Sequence, residues 1–334
     1  MMGMGTGITA NIFNDVRFTA SDRPARSQFQ IGQIDFFVQG HLDERYTALL
    51  ETVAEFDNTN QPSVDVERIQ FNAHLDDRLR IAIGRIHAPF GYYNSAYHHA
   101  AWHQTAVDRP HVIAFEDDGG LLPVHLVGIE ARGVFPKGKL DLGYAFNFAN
   151  GRGERPDEVT QFVDHNFGKA VNVQLYTEHR PTHLRFGING YLDRIPPVSD
   201  PTTNPARATS IREVIFGAHA VWIDRGWEVI SEYYQLRHTV TGASATAVHH
   251  GFFTIASYGL GDLRPYFRVQ TIQMDKSVPD PFFDPTIYTS QTGLAAGIKY
   301  WLADLVAVKF EYERQIPDSG AEHNLATVQV AYGF

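Results

Sequence analysis

The residues best equipped for chemistry crowd into one stretch of the chain. His98, His99, His103 and His111 stand among Tyr92, Tyr93, Tyr97 and Trp102, and the acids Glu116, Asp117 and Asp118 close the group. His99 and His103 are four apart, so a helical turn would aim both imidazoles at one metal ion, with a carboxylate supplying oxygen. The same composition suits a segment folded inside a polar cavity, anchored by its rings and hydrogen-bonded through its imidazoles. An i, i+4 pair without a third spaced ligand does not decide between these, so both readings stay open. The expectation is no resident metal and no cofactor, with His99 and His103 as the candidate pair.

Enzyme chemistry finds no support elsewhere. The chain has no His-Glu-x-x-His helix, no Gly-x-Ser-x-Gly elbow and no phosphate-cradling glycine loop followed by Lys and Ser or Thr. Gly3, Gly5 and Gly7 merely alternate and make no dinucleotide fingerprint. With 0 Cys, thiolate catalysis, disulfides and Cys-ligated metal are excluded. The expectation is that this is not an enzyme.

The elements that must position the histidine-rich stretch are strands. Strict alternation runs through the whole length, with Leu140, Leu142, Tyr144, Phe146 and Phe148 opposed to Asp141, Gly143, Ala145 and Asn147. The last segment sets Ala326, Val328, Val330, Tyr332 and Phe334 against Thr327, Gln329, Ala331 and Gly333. Sixteen such segments are predicted, over 6–18, 29–40, 46–56, 64–74, 79–87, 123–135, 139–149, 168–178, 182–193, 211–222, 226–237, 248–258, 263–273, 291–301, 304–313 and 323–334.

Their connections alternate between short turns, such as Pro136 to Gly138 and Ile223 to Arg225, and longer polar loops, such as Thr19 to Gln28 and Met274 to Ser290. One connection, 88–122, is longer than any other. Even strand number, one-sided short turns and two-faced strands predict an all-β fold, a closed antiparallel transmembrane barrel of about sixteen strands. The whole chain, 1–334, reads as one barrel domain with 88–122 folded into its lumen. Trp222, Trp227 and Trp301 sit beside short turns, and Phe18, Phe56, Phe148 and Tyr312 flank long loops, as two interfacial girdles would.

If the apolar faces meet lipid, alternation turns the charges inward. The inward set includes Asp35, Glu51, Arg68, Glu130, Arg132, Arg185, Glu228, Glu232, Arg264, Arg268, Lys299, Lys309 and Glu311, together with Asp15, Arg17, Glu55 and Glu313. A barrel of this size leaves an aqueous channel, and a wall of both signs suits small polar solutes or ions. The net charge of -10 leans that wall toward cations and argues against nucleic acid as a partner. No apolar run is long enough for a helical span, and the start, Met1-Met2-Gly3-Met4, shows no export signal in this numbering.

The ending on Phe334, with Tyr332, Val330 and Val328 before it, resembles the C-terminal assembly signal of Gram-negative outer-membrane proteins. Sixteen strands and an oversized third loop resemble the outer-membrane porin superfamily across the whole chain, and the order of the first strands is similar to its phosphate-selective relatives. This chain departs from those relatives in having only Lys299 and Lys309 on inward faces. The resemblance implies a passive diffusion channel in the bacterial outer membrane, surrounded by lipid, homotrimeric as porins commonly are, and narrowed by the segment from Phe90 to Gly120. A plugged barrel serving as a structural or partner-binding scaffold is the alternative.

Overall fold

The computed structural model describes residues 7–23, 25–56, 61–98, 101–158, 162–164, 168–202 and 204–334. The strands are β1 (Gly7–Asp22), β2 (Ala25–His41), β3 (Tyr46–Phe56), β4 (Pro62–Asp76), β5 (Leu79–His87), β6 (His125–Lys137), β7 (Leu140–Asn150) and β8 (Ala170–His179). They continue as β9 (Leu184–Ile195), β10 (Ile211–Asp224), β11 (Trp227–Val240), β12 (Ala247–Tyr258), β13 (Leu263–Gln273), β14 (Gln291–Ala303), β15 (Val306–Pro317) and β16 (His323–Gly333).

Each strand pairs antiparallel with its sequence neighbours, and β1 pairs with both β2 and β16, so the sheet closes on itself. The seam is finished by the chain end: Ile12 N–H donates to Phe334 O at 2.9 Å and Phe334 N–H to Ile12 O at 3.0 Å. Closure leaves no unpaired edge, which is how a sheet this large avoids templating aggregation.

The barrel is apolar outside and charged within. Along β15, Phe310 is 52% exposed and Tyr312 46%, while Lys309 and Glu311, which alternate with them, are 0% and 3% exposed. A water-soluble protein buries the first kind and exposes the second. The inverse arrangement is what a bilayer-spanning barrel requires. The β10–β11 turn is a two-residue hairpin in which Arg225 and Gly226 both have positive φ, 52° and 87°, the handedness that matches strand twist.

Four expectations need correcting. Thr19 to Gln28 is not a long loop: β1 runs to Asp22 and β2 restarts at Ala25, making a tall hairpin. Its tip is polar on both faces, so alternation fades although the ladder persists. Strand β15 likewise extends to Pro317 instead of stopping at 313, and the long connection ends at 124 because β6 starts at His125. Trp301 is not part of the girdle expected at the short-turn end. It shares its face with Lys299, whose Nζ lies 3.8 Å from its ring centroid, and it packs edge-on against Trp102 of the inward segment. Trp222 and Trp227 do stack at the short-turn end, with centroids 6.3 Å apart.

Candidate functional site

The segment between β5 and β6 lies against the inner wall. Its described residues include a turn of α-helix, α1 (Tyr93–Ala96), and a 3-10 turn at His111–Ile113, and Phe90, Tyr93, Val112, Ile113 and Leu121 within it are buried. A loop so enclosed must find partners for its backbone polar groups. The inward charges of β11 to β15 supply them.

Glu232 Oε1 accepts N–H groups from both Tyr92 and Tyr93, at 2.6 and 2.7 Å, and its other oxygen accepts the Tyr234 hydroxyl. Glu228 accepts the Tyr97 hydroxyl at 3.0 Å and the Thr105 hydroxyl at 2.6 Å, with Arg264 at 3.9 Å. Lys299 Nζ donates to the carbonyls of His103 and Gln104, and Lys309 Nζ to those of Ala101 and Ala106. Arg268 donates to the Asp108 carbonyl while paired with Glu311 and Glu313, and Glu311 accepts the Val107 N–H. Alternation therefore put these side chains on the correct face. They do not line an open wall, however, because they hold the inserted segment.

The segment returns to β6 through a tight turn, where Gly120 N–H donates to Phe115 O at 2.9 Å. Gly119 there has φ +82°, and a Cβ on Gly120 would meet the Ala114 carbonyl oxygen at 2.0 Å, so both positions call for glycine.

With the segment seated on that side, space remains against β1 to β4 and β16. A cavity of about 630 Å³ runs from Phe56, Ser63 and Leu325 near the long loops down to Phe13 and Gln329. Its carboxylates are Asp15, Asp35, Glu55, Asp108, Asp117, Asp118 and Glu313, against the guanidiniums of Arg17 and Arg109. Phe56, expected in an outer girdle, borders this space as well. A second cavity of about 280 Å³ lies toward the short turns, lined by Arg68, Asn72, His74, Arg80, His87, Glu130 and Arg132. Wall pairs flank it: Arg68 Nε donates to Glu51 at 2.5 Å, and Arg132 pairs with Glu130. Arg185 lies over the Tyr176 ring at 3.4 Å and faces Tyr92 at 5.3 Å.

Enclosure changes how the acids of the segment titrate. Burial pushes the Asp117 carboxyl up to about 7, with Asp118 and Glu55 adding repulsion, and burial also raises Asp118. Burial works to raise Asp108, but Arg17 and Arg268 outweigh it and hold that carboxyl below the ordinary range. His111 goes the other way, down to about 4, because burial and Arg268 both disfavour its cation.

Of the histidine pair singled out for metal, His99 lies outside the described residues. His103 is exposed, with its ring 5.1 Å from that of Tyr97. Trp102 packs between Phe13 and Trp301, Asp117 and Asp118 point to the large cavity, and Glu116 is buried beside His125. Sequence reasoning missed His87 and His125, which gather around His98. The available signal was position: the residue before the long segment and the residue after it must pair across the ladder, and both are histidine.

No family model matches the chain, and no curated protein matches it in sequence. Solved structures do share its fold. Salmonella typhi OmpF, in complex with daunomycin, aligns with a TM-score of 0.66 at 14% identity, covering 99% of this chain and 98% of its own. The anion-selective porin of Comamonas acidovorans gives 0.65 at 9% identity, covering 99% and 100%. OmpT of Vibrio cholerae, an outer membrane protein solved in a trimer form, gives 0.62 at 10%, covering 99% and 100%. The architecture is that of the porin barrel.

Proposed function

We propose that the chain is an outer-membrane diffusion channel for small hydrophilic solutes, favouring cations, with the segment between β5 and β6 as its constriction. It acts by permeation and not by catalysis. The observation that carries this reading is the acid-lined space left between the inserted segment and the β1 to β4 wall, in which carboxylates outnumber guanidiniums. Negative side chains around a water-filled passage raise the local concentration of cations and bias which ions pass. The same lining works against phosphate, so selection for that anion is not part of the proposal. The fold shared with porins supports the outer-membrane location, and the trimer form of the Vibrio cholerae relative supports a homotrimer.

A second reading rests on the anchoring bonds. So many wall charges serve the segment that the barrel would also work as a sealed scaffold for a partner in an outer-membrane assembly. Planar bilayers separate the two. Stepwise ohmic openings, with a reversal potential of cationic sign under a potassium chloride gradient, are expected of the channel. Electrical silence from correctly folded protein would favour the scaffold, and an anionic reversal potential would overturn the cation preference.

A further inference from the structure

Where the inserted segment meets the wall, three imidazoles converge. His87 ends β5, His125 opens β6 directly opposite it in the ladder, and His98 follows α1. His98 Nε2 lies 2.8 Å from His125 Nε2, and the His87 ring stacks on that of His98 with centroids 3.4 Å apart. Glu67 brings a carboxylate oxygen to 2.6 Å from His125 Nε2. It stands at a β-bulge, where the β3–β4 register steps from Glu51↔Arg68 to Thr52↔Val66 and leaves Glu67 unmatched.

The outer hydrogen bonds fix which nitrogens carry protons. Asn94 Nδ2 donates to the carbonyls of Ala88 and Val124, so its Oδ1 is the acceptor that receives His98 Nδ1–H at 2.8 Å. His125 Nδ1 faces Glu116 Oε2 at 3.3 Å and donates there. In the neutral rings, both Nε2 lone pairs then point at the same place. Two acceptors 2.8 Å apart, beside a carboxylate, repel unless a metal ion or a proton on His125 lies among them. Ring nitrogens pinned on the far side by a carboxylate or an amide oxygen are the usual second tier of a histidine metal site.

We propose that His87, His98, His125 and Glu67 form a binding site for a divalent transition metal, with zinc as its simplest occupant. Imidazole donors suit zinc, copper or nickel, whereas calcium and magnesium favour all-oxygen sites. His87 lines the 280 Å³ cavity on the short-turn side, which gives the ion a route in. The bound ion would join β4, β5 and β6 to the inserted segment and so clamp the constriction. The other histidine cluster, at His238 and His249, lacks this character. There Asp275 N–H donates to His249 Nδ1, which leaves His249 Nε2–H to donate to Asp280, so protons already fill that network.

The test uses the full barrel in detergent, stripped with a chelator and titrated calorimetrically with zinc chloride near neutral pH. One saturable zinc per chain is expected, unaffected by millimolar magnesium. Paired His98→Gln and His125→Gln substitutions should weaken it by about 100-fold or more, and Glu116→Gln by about tenfold. His103→Gln should leave it unchanged. If wild-type protein takes up no saturable zinc, His125 is instead an imidazolium donating from Nε2 to Glu67 and from Nδ1 to Glu116, and the proposal fails. It fails equally if the double variant binds as tightly as the wild type. Should the double variant not fold, X-ray absorption of the zinc-loaded wild type decides: imidazole scattering from at least two rings supports the site, and its absence overturns it.

Discussion

Arg17 of β1 donates from Nη1 to Asp108 Oδ1 at 2.8 Å, across the space that the inserted segment leaves open. The Asp108 carbonyl meanwhile accepts from Arg268 of β13, so this one residue links β1 to a strand four places round the barrel. Arg17→Gln removes a positive charge from an acidic passage and leaves the Asp108 carboxylate without its guanidinium. One unit charge at about 6 Å in water is worth roughly 0.7 kcal/mol, or about threefold in local ion concentration. Cation over anion permeability should therefore rise by about that factor, read as reversal potential in low salt, and Asp108→Asn should lower it.

Selectivity should also depend on pH with a definite sign. Asp117 titrates at about 7, so it is mostly neutral below that value and mostly ionised above it. Raising pH from about 5.5 to 8.5 adds negative charge to the passage, and cation preference should climb with a midpoint near that value. His111, the one histidine lining this cavity among the described residues, is held down at about 4 and stays neutral across that range, so the distinguishing measurement is Asp117→Asn, which should remove the step centred near 7.

The architecture was legible because a barrel writes itself in a period of two. Leu140 to Phe148 face out and their neighbours face in, as alternation requires. The period failed where no face is apolar, as at Thr19 to Asp22, where hydrogen bonding alone continues the strand. Alternation also put Lys299 and Lys309 inside but could not say what they touch, because their acceptors are carbonyls about 200 residues earlier in the chain. Trp301 misled for a related reason: nearness to a turn does not tell which side a ring faces. His87 and His125 carry no motif, since a ladder register brings them together and not a spacing along the chain.

The anchors of the inserted segment should carry measurable stability. Glu232→Ala takes the acceptor away from the Tyr92 and Tyr93 N–H groups and the Tyr234 hydroxyl together. Leaving buried donors unsatisfied costs about 1–3 kcal/mol each, and water entering the gap offsets part of it, so a loss of roughly 2 kcal/mol is expected. The urea midpoint for unfolding from lipid vesicles should fall, and single channels should flicker as the segment loosens. An unchanged midpoint with quiet openings would mean that the segment is held by its apolar contacts alone.

The outward face offers the most direct challenge to the membrane reading. Phe310 is half exposed on the outside of β15, between Lys309 and Glu311, which are both buried within. Arginine at a lipid-facing position near the bilayer centre costs about 2–4 kcal/mol, whereas in water the same change on an exposed position costs almost nothing. Phe310→Arg should therefore lower folding stability in vesicles by that amount, while Phe310→Leu stays within about 1.5 kcal/mol of the wild type. The contrast holds the site fixed and varies only charge. If the arginine variant folds in vesicles as stably as the leucine variant, the outer band does not meet hydrocarbon and the inward charges need another explanation.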